Sequence, residues 1–245
     1  MTDETTGRDV ELPWWPARRP STGRTPLDRD RIVAAALRRI DEGGLDALSM
    51  RKLGDDLGVG ATTIYWHVGS KDELLDLVLD QVMAEILADM HWGGGWRTQL
   101  AEAGQAIRRV LLRHRHVGSM IGARLALGPH TLSAFDQLLG ILVDAGFPDH
   151  TADLAGNAVI NHAIGWAVLE SRNPQDPVAE GRSQKELDQV VLGMFRSLPA
   201  GQFPNIRRIT VDAEALTGAD EQFDYAQRCL IEGIAGDLAR PGAQS

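Results

Sequence analysis

Hydrophobic residues return every three or four positions along most of this chain and almost nowhere alternate with polar ones, a pattern that predicts helices rather than strands. After a stretch without periodicity, Ile32, Ala36, Leu37 and Ile40 form the buried stripe of a helix over 28–43, capped by Asp28 and stopped at Gly43-Gly44. Leu45 and Leu48 continue the same small core. Met50, Leu53 and Leu57 mark a short helix, with Ser49 as its N-cap and Gly58 at its end, where a residue without Cβ enters the left-handed region cheaply. Val59 plugs the turn, and a third helix runs from Ala61 to His67. The capping box Ser70-Lys-Asp-Glu73 opens a long helix to about Asp89. Its broad apolar face is Leu74, Leu75, Val78, Leu79, Val82, Met83, Ile86 and Leu87.

Beyond the glycine-rich break at 91–95, read as a hinge, the periodicity predicts helices over 96–115, 117–127, 129–146 and 149–171. In the third of these Leu132, Phe135, Leu138, Leu139, Leu142 and Val143 should face inward. A loop with two prolines fills 172–182. A second capping box, Ser183-Gln-Lys-Glu186, opens a helix to about Leu198. Residues 199–218 read as irregular and anchored by Phe203-Pro204, and a last helix covers 220–238. The fold class is all-α, with about nine or ten helices. The organisation is a flexible arm over 1–27, a three-helix unit over 28–73 and a larger helical domain over 74–245.

Chemistry concentrates in the helix 61–67. A surface helix meant for solubility would carry Lys and Glu, but this one carries Thr62, Thr63, Tyr65, Trp66 and His67. Two short helices around a glycine turn, the second rich in hydroxyls and polar-tipped rings, suit the DNA major groove. Tyr65 and His67 can donate to phosphate oxygens. The Thr62 and Thr63 methyls can meet thymine methyls while their hydroxyls reach base edges, and Arg51 can reach a guanine edge or a phosphate. The run Ser49 to Lys71, with the helix before it, resembles the DNA-binding domain of the tetracycline repressor family, most specifically at Ile64-Tyr-Trp-His-Val-Gly-Ser-Lys71. The resemblance implies that Arg51, Thr62 and Thr63 read bases while Tyr65, Trp66, His67 and Lys71 clamp the DNA backbone. Ala61 replaces the family's usual polar reader, so the operator sequence does not carry over.

One such unit reads only a few base pairs; two of them about 34–36 Å apart read a palindrome. The small-residue helix 149–171 and the terminal helix are candidates for a four-helix bundle across a two-fold axis, giving a homodimer, and the resemblance points to the same pair. Asn157, Asn161 and His162 interrupt an otherwise apolar helix. Buried polar groups need partners, and a ligand, a core hydrogen bond or an interface contact would each supply them. The stretch His162 to Glu170 resembles the matching helix of tetracycline repressors proper, where the His and Glu positions line the inducer end. The family's metal-binding histidine falls at Ile121 and its inducer-contacting histidine at Leu87, each replaced here by hydrocarbon. The expected effector is therefore an apolar small molecule, with Leu87, Ile107, Met120, Ile121, Phe135, His162 and Trp166 as lining, and not magnesium-tetracycline.

Composition adjusts this reading. The net charge of −9 excludes a general nucleic-acid coat, yet residues 14–27 hold Arg18, Arg19 and Arg24 without an acid. Those arginines can follow the DNA backbone or enter the minor groove, whereas Trp14-Trp15-Pro16 can dock on the body or on a partner. No run approaches the roughly 18 apolar residues of a membrane span, and no signal-peptide core is present. One cysteine, Cys229, fits a reducing cytoplasm and reads as a small core residue. His114 and His116 lie two apart, facing different ways, and His130 and His150 read as solvated. No nucleophile elbow, zinc motif or nucleotide loop is found, so no catalytic residue, metal or cofactor is assigned. The chain reads as a cytoplasmic, ligand-responsive transcriptional regulator on double-stranded DNA. The alternative is a helical small-molecule binding protein that no longer reads DNA. Deleting residues 1–24 should weaken DNA affinity in a gel shift; unchanged affinity removes the arm from the account.

Overall fold

The computed structural model of the protein describes residues 27–121, 124, 127–171, 183–213 and 215–238. The arm with Trp14, Trp15, Arg18, Arg19 and Arg24, and the expected loop over 172–182, lie outside the described residues. All regular structure among the described residues is helical: α1 (Arg29–Gly43), a 3-10 turn (Leu45–Ala47), α2 (Met50–Leu57), α3 (Ala61–His67), α4 (Lys71–Asp89), α5 (Trp96–Arg113), α6 (Gly118–Ile121), α7 (Pro129–Asp144), α8 (Asp149–Ser171), α9 (Gln184–Ser197), α10 (Pro204–Thr210) and α11 (Ala219–Leu238). None of these helices is long and apolar enough to cross a membrane. The chain divides into two compact units, Met1–Val168 and Leu169–Ser245.

In the first unit one core runs from Ile32, Val33 and Ala36 on α1, through Leu53 and Ile64, to Leu74, Val78 and Val82 on α4 and Val110 and Leu111 on α5. Asp28 caps α1 by accepting from the Arg31 N–H, and Ser49 caps α2 by accepting from the Lys52 N–H. Ser70 caps α4 as expected, but Glu73 reaches past it to the Gly69 N–H at 2.8 Å. On α5 the helix stops at Arg113, two residues early. Of the apolar helix expected over 117–127, α6 forms 118–121 after turns at 114–117, and residues 122, 123, 125 and 126 lie outside the described residues. On α7 only Leu138 and Leu142 are buried, while Leu132 and Val143 are exposed.

One buried charge was not read from the sequence. Asp80 lies on the inward side of α4, 7% exposed. Its carboxylate accepts from the His130 and Thr131 backbone N–H groups at 3.0 and 3.1 Å and lies 2.8 Å from His130 Nδ1. His130, exposed beside its turn as expected, is also bound to this carboxylate. Gly128, the N-cap of α7, has no side chain to offer, and Asp80 supplies the capping acceptor from another helix. A Cβ on Gly128 would fall 2.0 Å from Asp80 Oδ1, so the same contact demands a glycine.

In the second unit the capping box at Ser183 and Glu186 is complete. Residues 204–210, expected to be irregular, form α10, with Pro204 in the first turn where its fixed φ and missing N–H do no harm. Arg196 on α9 donates to the carbonyls of Thr210 and Ala213, and Arg207 on α10 donates to the Leu198 carbonyl, so side-chain forks join the two helices. The last helix, α11, buries Phe223, Gln227, Ile231 and Ile234. Cys229, expected in the core, is exposed on this helix.

Replacing Asp80 with Asn, or Gly128 with Ala, should each destabilise the protein by about 2 kcal/mol, the range for losing hydrogen bonds to a buried charge. Urea unfolding at fixed protein concentration measures this. Wild-type stability in both variants would contradict the capping role.

Candidate DNA-contacting and effector-binding sites

The turn between α2 and α3 is tight. Gly58 adopts φ 68°, and the Val59 N–H returns to the Gly54 carbonyl at 2.9 Å. A Cβ at Gly54 would sit 2.7 Å from the Val59 carbonyl oxygen, so α2 must carry a glycine where the turn folds over it. A fork from Arg39 on α1 grips Asp56 at 2.6 and 2.7 Å and also reaches the Lys52 carbonyl, fixing α2 on α1. This guanidinium holds the Asp56 carboxyl below the usual carboxylate range.

Within α3 only Ile64 is buried. The helix period then places Thr62 and Trp66 on the side opposite the core, with Thr63 and Tyr65 on the flanks. Thr62 and Thr63 are exposed, Tyr65 is 48% exposed and Trp66 87%. His67 is half-buried at the last position of the helix. Arg51 is exposed in the first turn of α2. Lys71 is exposed as well, but its ammonium donates to the Leu48 carbonyl at 2.8 Å, tying the start of α4 to the chain leading into α2. An ammonium carries three donors, so this bond leaves others for phosphate.

One contributor was missed by the sequence reading. Arg29, in the first turn of α1, donates through Nε to the His67 carbonyl at 3.1 Å and through its terminal nitrogen to Glu73 at 3.2 Å. No local pattern announces this, since the residues joined lie 38 and 44 positions apart.

The seven residues expected around an effector divide into several placements. Met120 is 3% exposed and belongs to the core shared with Val110, Leu111 and Val117; Ile107 and Ile121 pack against that core, half-buried. Leu87 is half-buried on α4 beside the buried Ile86. Phe135 meets α8 at Gly156, where an added Cβ would fall 3.8 Å from its ring. His162 and Trp166 pair along α8 with ring centroids 5.9 Å apart. Burial pushes the His162 imidazole pKa below its ordinary value. Asn157 and Asn161, for which a ligand, a core hydrogen bond or an interface contact was expected, are exposed in the single chain, and the Asn157 amide donates to Asp153 one turn back.

A separate open cleft of about 400 Å³ is lined by Trp92, Trp96, Gln99, Gln137, Gly140, Ile141, Asp144 and Ala145, and by none of those seven residues. His114 is bound on both sides: Nδ1 lies 2.9 Å from Asp41 and Nε2 2.9 Å from Glu85. Among the described residues no group of three or more His, Cys, Asp or Glu side chains could hold a metal ion.

Comparison with known proteins gives a consistent picture. Residues 32–78 match the family model described as bacterial regulatory proteins of the tetR family, and residues 92–238 match the tetracycline repressor-like C-terminal domain. An HTH-type transcriptional regulator of Saccharopolyspora erythraea is 32% identical over 231 residues, covering 91% of this chain and 90% of that protein. The HTH-type transcriptional repressor DrrR1 of Streptomyces coeruleorubidus is 30% identical over 243 residues, covering 97% and 88% respectively. The crystal structure of the Streptomyces coelicolor TetR family protein ActR in complex with actinorhodin superposes with a TM-score of 0.73 at 31% identity, covering 88% of this chain and all of that one. With its helix-turn-helix and its helical body both matched, the chain belongs to the tetracycline repressor family of bacterial transcriptional regulators.

Proposed function

We propose that the protein is a homodimeric repressor that occupies a palindromic operator and leaves it when an apolar small molecule enters the helical body. One observation supports the DNA-reading part above all: the outward side of α3 consists of exposed hydroxyls and aromatic tips, with Ile64 buried beneath them. Thr62, Thr63 and Arg51 are the base readers in this reading, and Tyr65, Trp66, His67 and Lys71 hold phosphates. The DNA partner puts the protein in the cytoplasm.

Dimerisation rests on two helix faces. On α8, Leu154, Asn161, Gly165 and Leu169 are exposed at helical spacing, and on α11 so are Tyr225, Cys229, Gly233 and Gly236. Small residues on an exposed face permit close approach of another helix, and a second copy of the chain supplies one. The effector reading rests on Leu87 and Ile121, hydrocarbon at positions where a metal-chelate inducer would need polar ligands. The structural neighbour ActR has been solved in complex with actinorhodin, which supports a ligand-taking body here. Here the ligand acts only through its preference between DNA-competent and DNA-incompetent states.

A duplex selected by the full-length protein from a random pool tests the first part in a gel shift. Specific affinity should fall steeply with salt, with a log–log slope near −0.9 per phosphate contact. The substitution Tyr65→Ala should weaken it about tenfold, as for loss of one charge-assisted hydrogen bond, without unfolding the protein. Binding indifferent to salt and to Tyr65 would favour a helical ligand carrier that no longer reads DNA.

Burial of His162 predicts a titration midpoint below the ordinary imidazole value of about 6.5. The sign follows from linkage. With the folded pKa depressed, the unfolded chain takes the proton first as pH falls. The contribution to stability is therefore intact above the ordinary value and lost on acidification toward the folded one. Proton NMR of the His162 ring follows the titration directly, and a midpoint at or above the ordinary value contradicts the buried placement.

A further inference from the structure

We infer that Arg29 and Glu73 form a positioning clamp that sets the angle at which α3 presents its reading face, an assignment that rests on the DNA-reading function proposed above. Four observations carry it. First, α3 has only seven residues. A helix that short leaves most of its terminal backbone groups without intrahelical partners and does not hold its shape alone. Second, the His67 carbonyl, at the very end of α3, receives the Arg29 Nε–H at 3.1 Å. A guanidinium at a helix C-terminus meets both a free carbonyl and the negative end of the helix dipole. Third, the same guanidinium reaches Glu73 Oε1 at 3.2 Å, and the other oxygen of Glu73 accepts from the Gly69 N–H at 2.8 Å. The loop from α3 to α4 is thus held at both its beginning and its end by one charge pair. Fourth, the pair is half sheltered, with side chains 42% and 18% exposed, so solvent screens it incompletely.

Rigid attachment on this side complements Ile64, which fixes α3 from beneath. Apolar contacts at Ile64, and at Ala61 and Val68 on the same core, prevent the helix from lifting off but resist its rotation less than a directed bond does. The Arg29 fork opposes that rotation, because a planar guanidinium with two bonds fixes direction as well as distance. Arg29 and Glu73 then affect base reading through Thr62 and Thr63, which α3 carries, without touching a base themselves.

Charge removal separates this role from simple attraction to DNA. Glu73 is negative and close to the reading helix. On electrostatics alone, Glu73→Gln should bind DNA more tightly. As a clamp residue, it should bind its operator more weakly. The experiment measures full-length wild type, Glu73→Gln and Arg29→Gln on two duplexes: a palindrome selected by the wild-type protein, and an unrelated sequence of equal length. Thermal unfolding of each variant is recorded alongside.

The clamp predicts that Glu73→Gln loses about fivefold and Arg29→Gln about tenfold in affinity for the selected duplex. Affinity of Glu73→Gln for the unrelated duplex should fall less than for the selected one, because non-specific binding needs no base contact from Thr62 and Thr63 and the lost negative charge favours it. Glu73→Gln binding its operator as tightly as wild type, or more tightly, overturns the inference. So does a loss in Arg29→Gln accompanied by a salt slope shallower by about one, which would place the guanidinium on a phosphate. Should Arg29→Gln fail to fold, the Glu73→Gln result decides alone. Failure of the wild-type protein to select any duplex would instead sink the DNA-reading function on which the clamp rests.

Discussion

A single buried isoleucine governs the way this protein meets its surroundings. The recognition helix α3 spans seven residues and fully buries only Ile64, with Ala61 packed partly against the same core. Isolated helices shorter than about 12 residues are marginal in water, so α3 exists because its neighbours hold it. Ile64 anchors it on the core that α1, α2 and α4 share, and Val68, fully buried, closes its far end. Using one inward position leaves the others free. That economy is what allows Thr62, Thr63, Tyr65 and Trp66 to stand outward together. A longer helix with a wide apolar stripe would be more stable and would have fewer residues to offer a groove.

The long helix α4 carries this arrangement into the rest of the first unit. Its apolar face supplies much of the core, but its polar residues make the directional links. Ser70 caps its own start, Lys71 reaches the Leu48 carbonyl, and Glu73 joins Arg29. Two turns further on Asp80 caps α7, and Glu85 meets the His114 ring that Asp41 of α1 also binds. Near its start α4 also gathers Arg124, which pairs with Asp72 and Asp76. Close apolar packing transmits displacement, and a carboxylate seated on two backbone N–H groups adds a fixed direction to it. Movement of α7 or α5 would therefore be passed to α4 through these contacts, and α4 begins directly after the reading helix. An effector need only prefer one setting of that beam over another.

Much of this was visible in the sequence because it is local. Asp28, Ser49, Gly58 and the Ser183 box each act within a few residues of themselves, and the period of Leu74, Val78 and Val82 announces a buried face without reference to any partner. What was hidden is what depends on distant partners. Asp80 breaks an apolar stripe and looks like an ordinary solvated acid until α7 arrives above it. Arg29 looks like one more basic residue on a helix end. The reverse error also occurred: Leu132, Val143 and Cys229 have apolar character yet are exposed in this chain, since hydrophobicity says that a side chain gains from burial and not where burial is available. Residues 199–218 misled for a third reason: Phe203-Pro204 reads as the apolar anchor of an irregular stretch, whereas Pro204 in the first turn of α10 is a helix starter. At the proposed DNA surface the residues named from sequence are mostly exposed on α3 and its flanks. Those named for an effector are dispersed between a core, a helix contact and a ring pair.

The central claim is geometric: two copies of α3 lie in successive major grooves on one face of a duplex. Methylation interference at guanine N7, a major-groove position, tests it most directly with the full-length protein on a selected operator. The account predicts two windows of interference whose centres are one helical turn apart, about 34–36 Å, related by the palindrome. Interference absent from the major groove, or a single window under a saturating amount of protein, would contradict it.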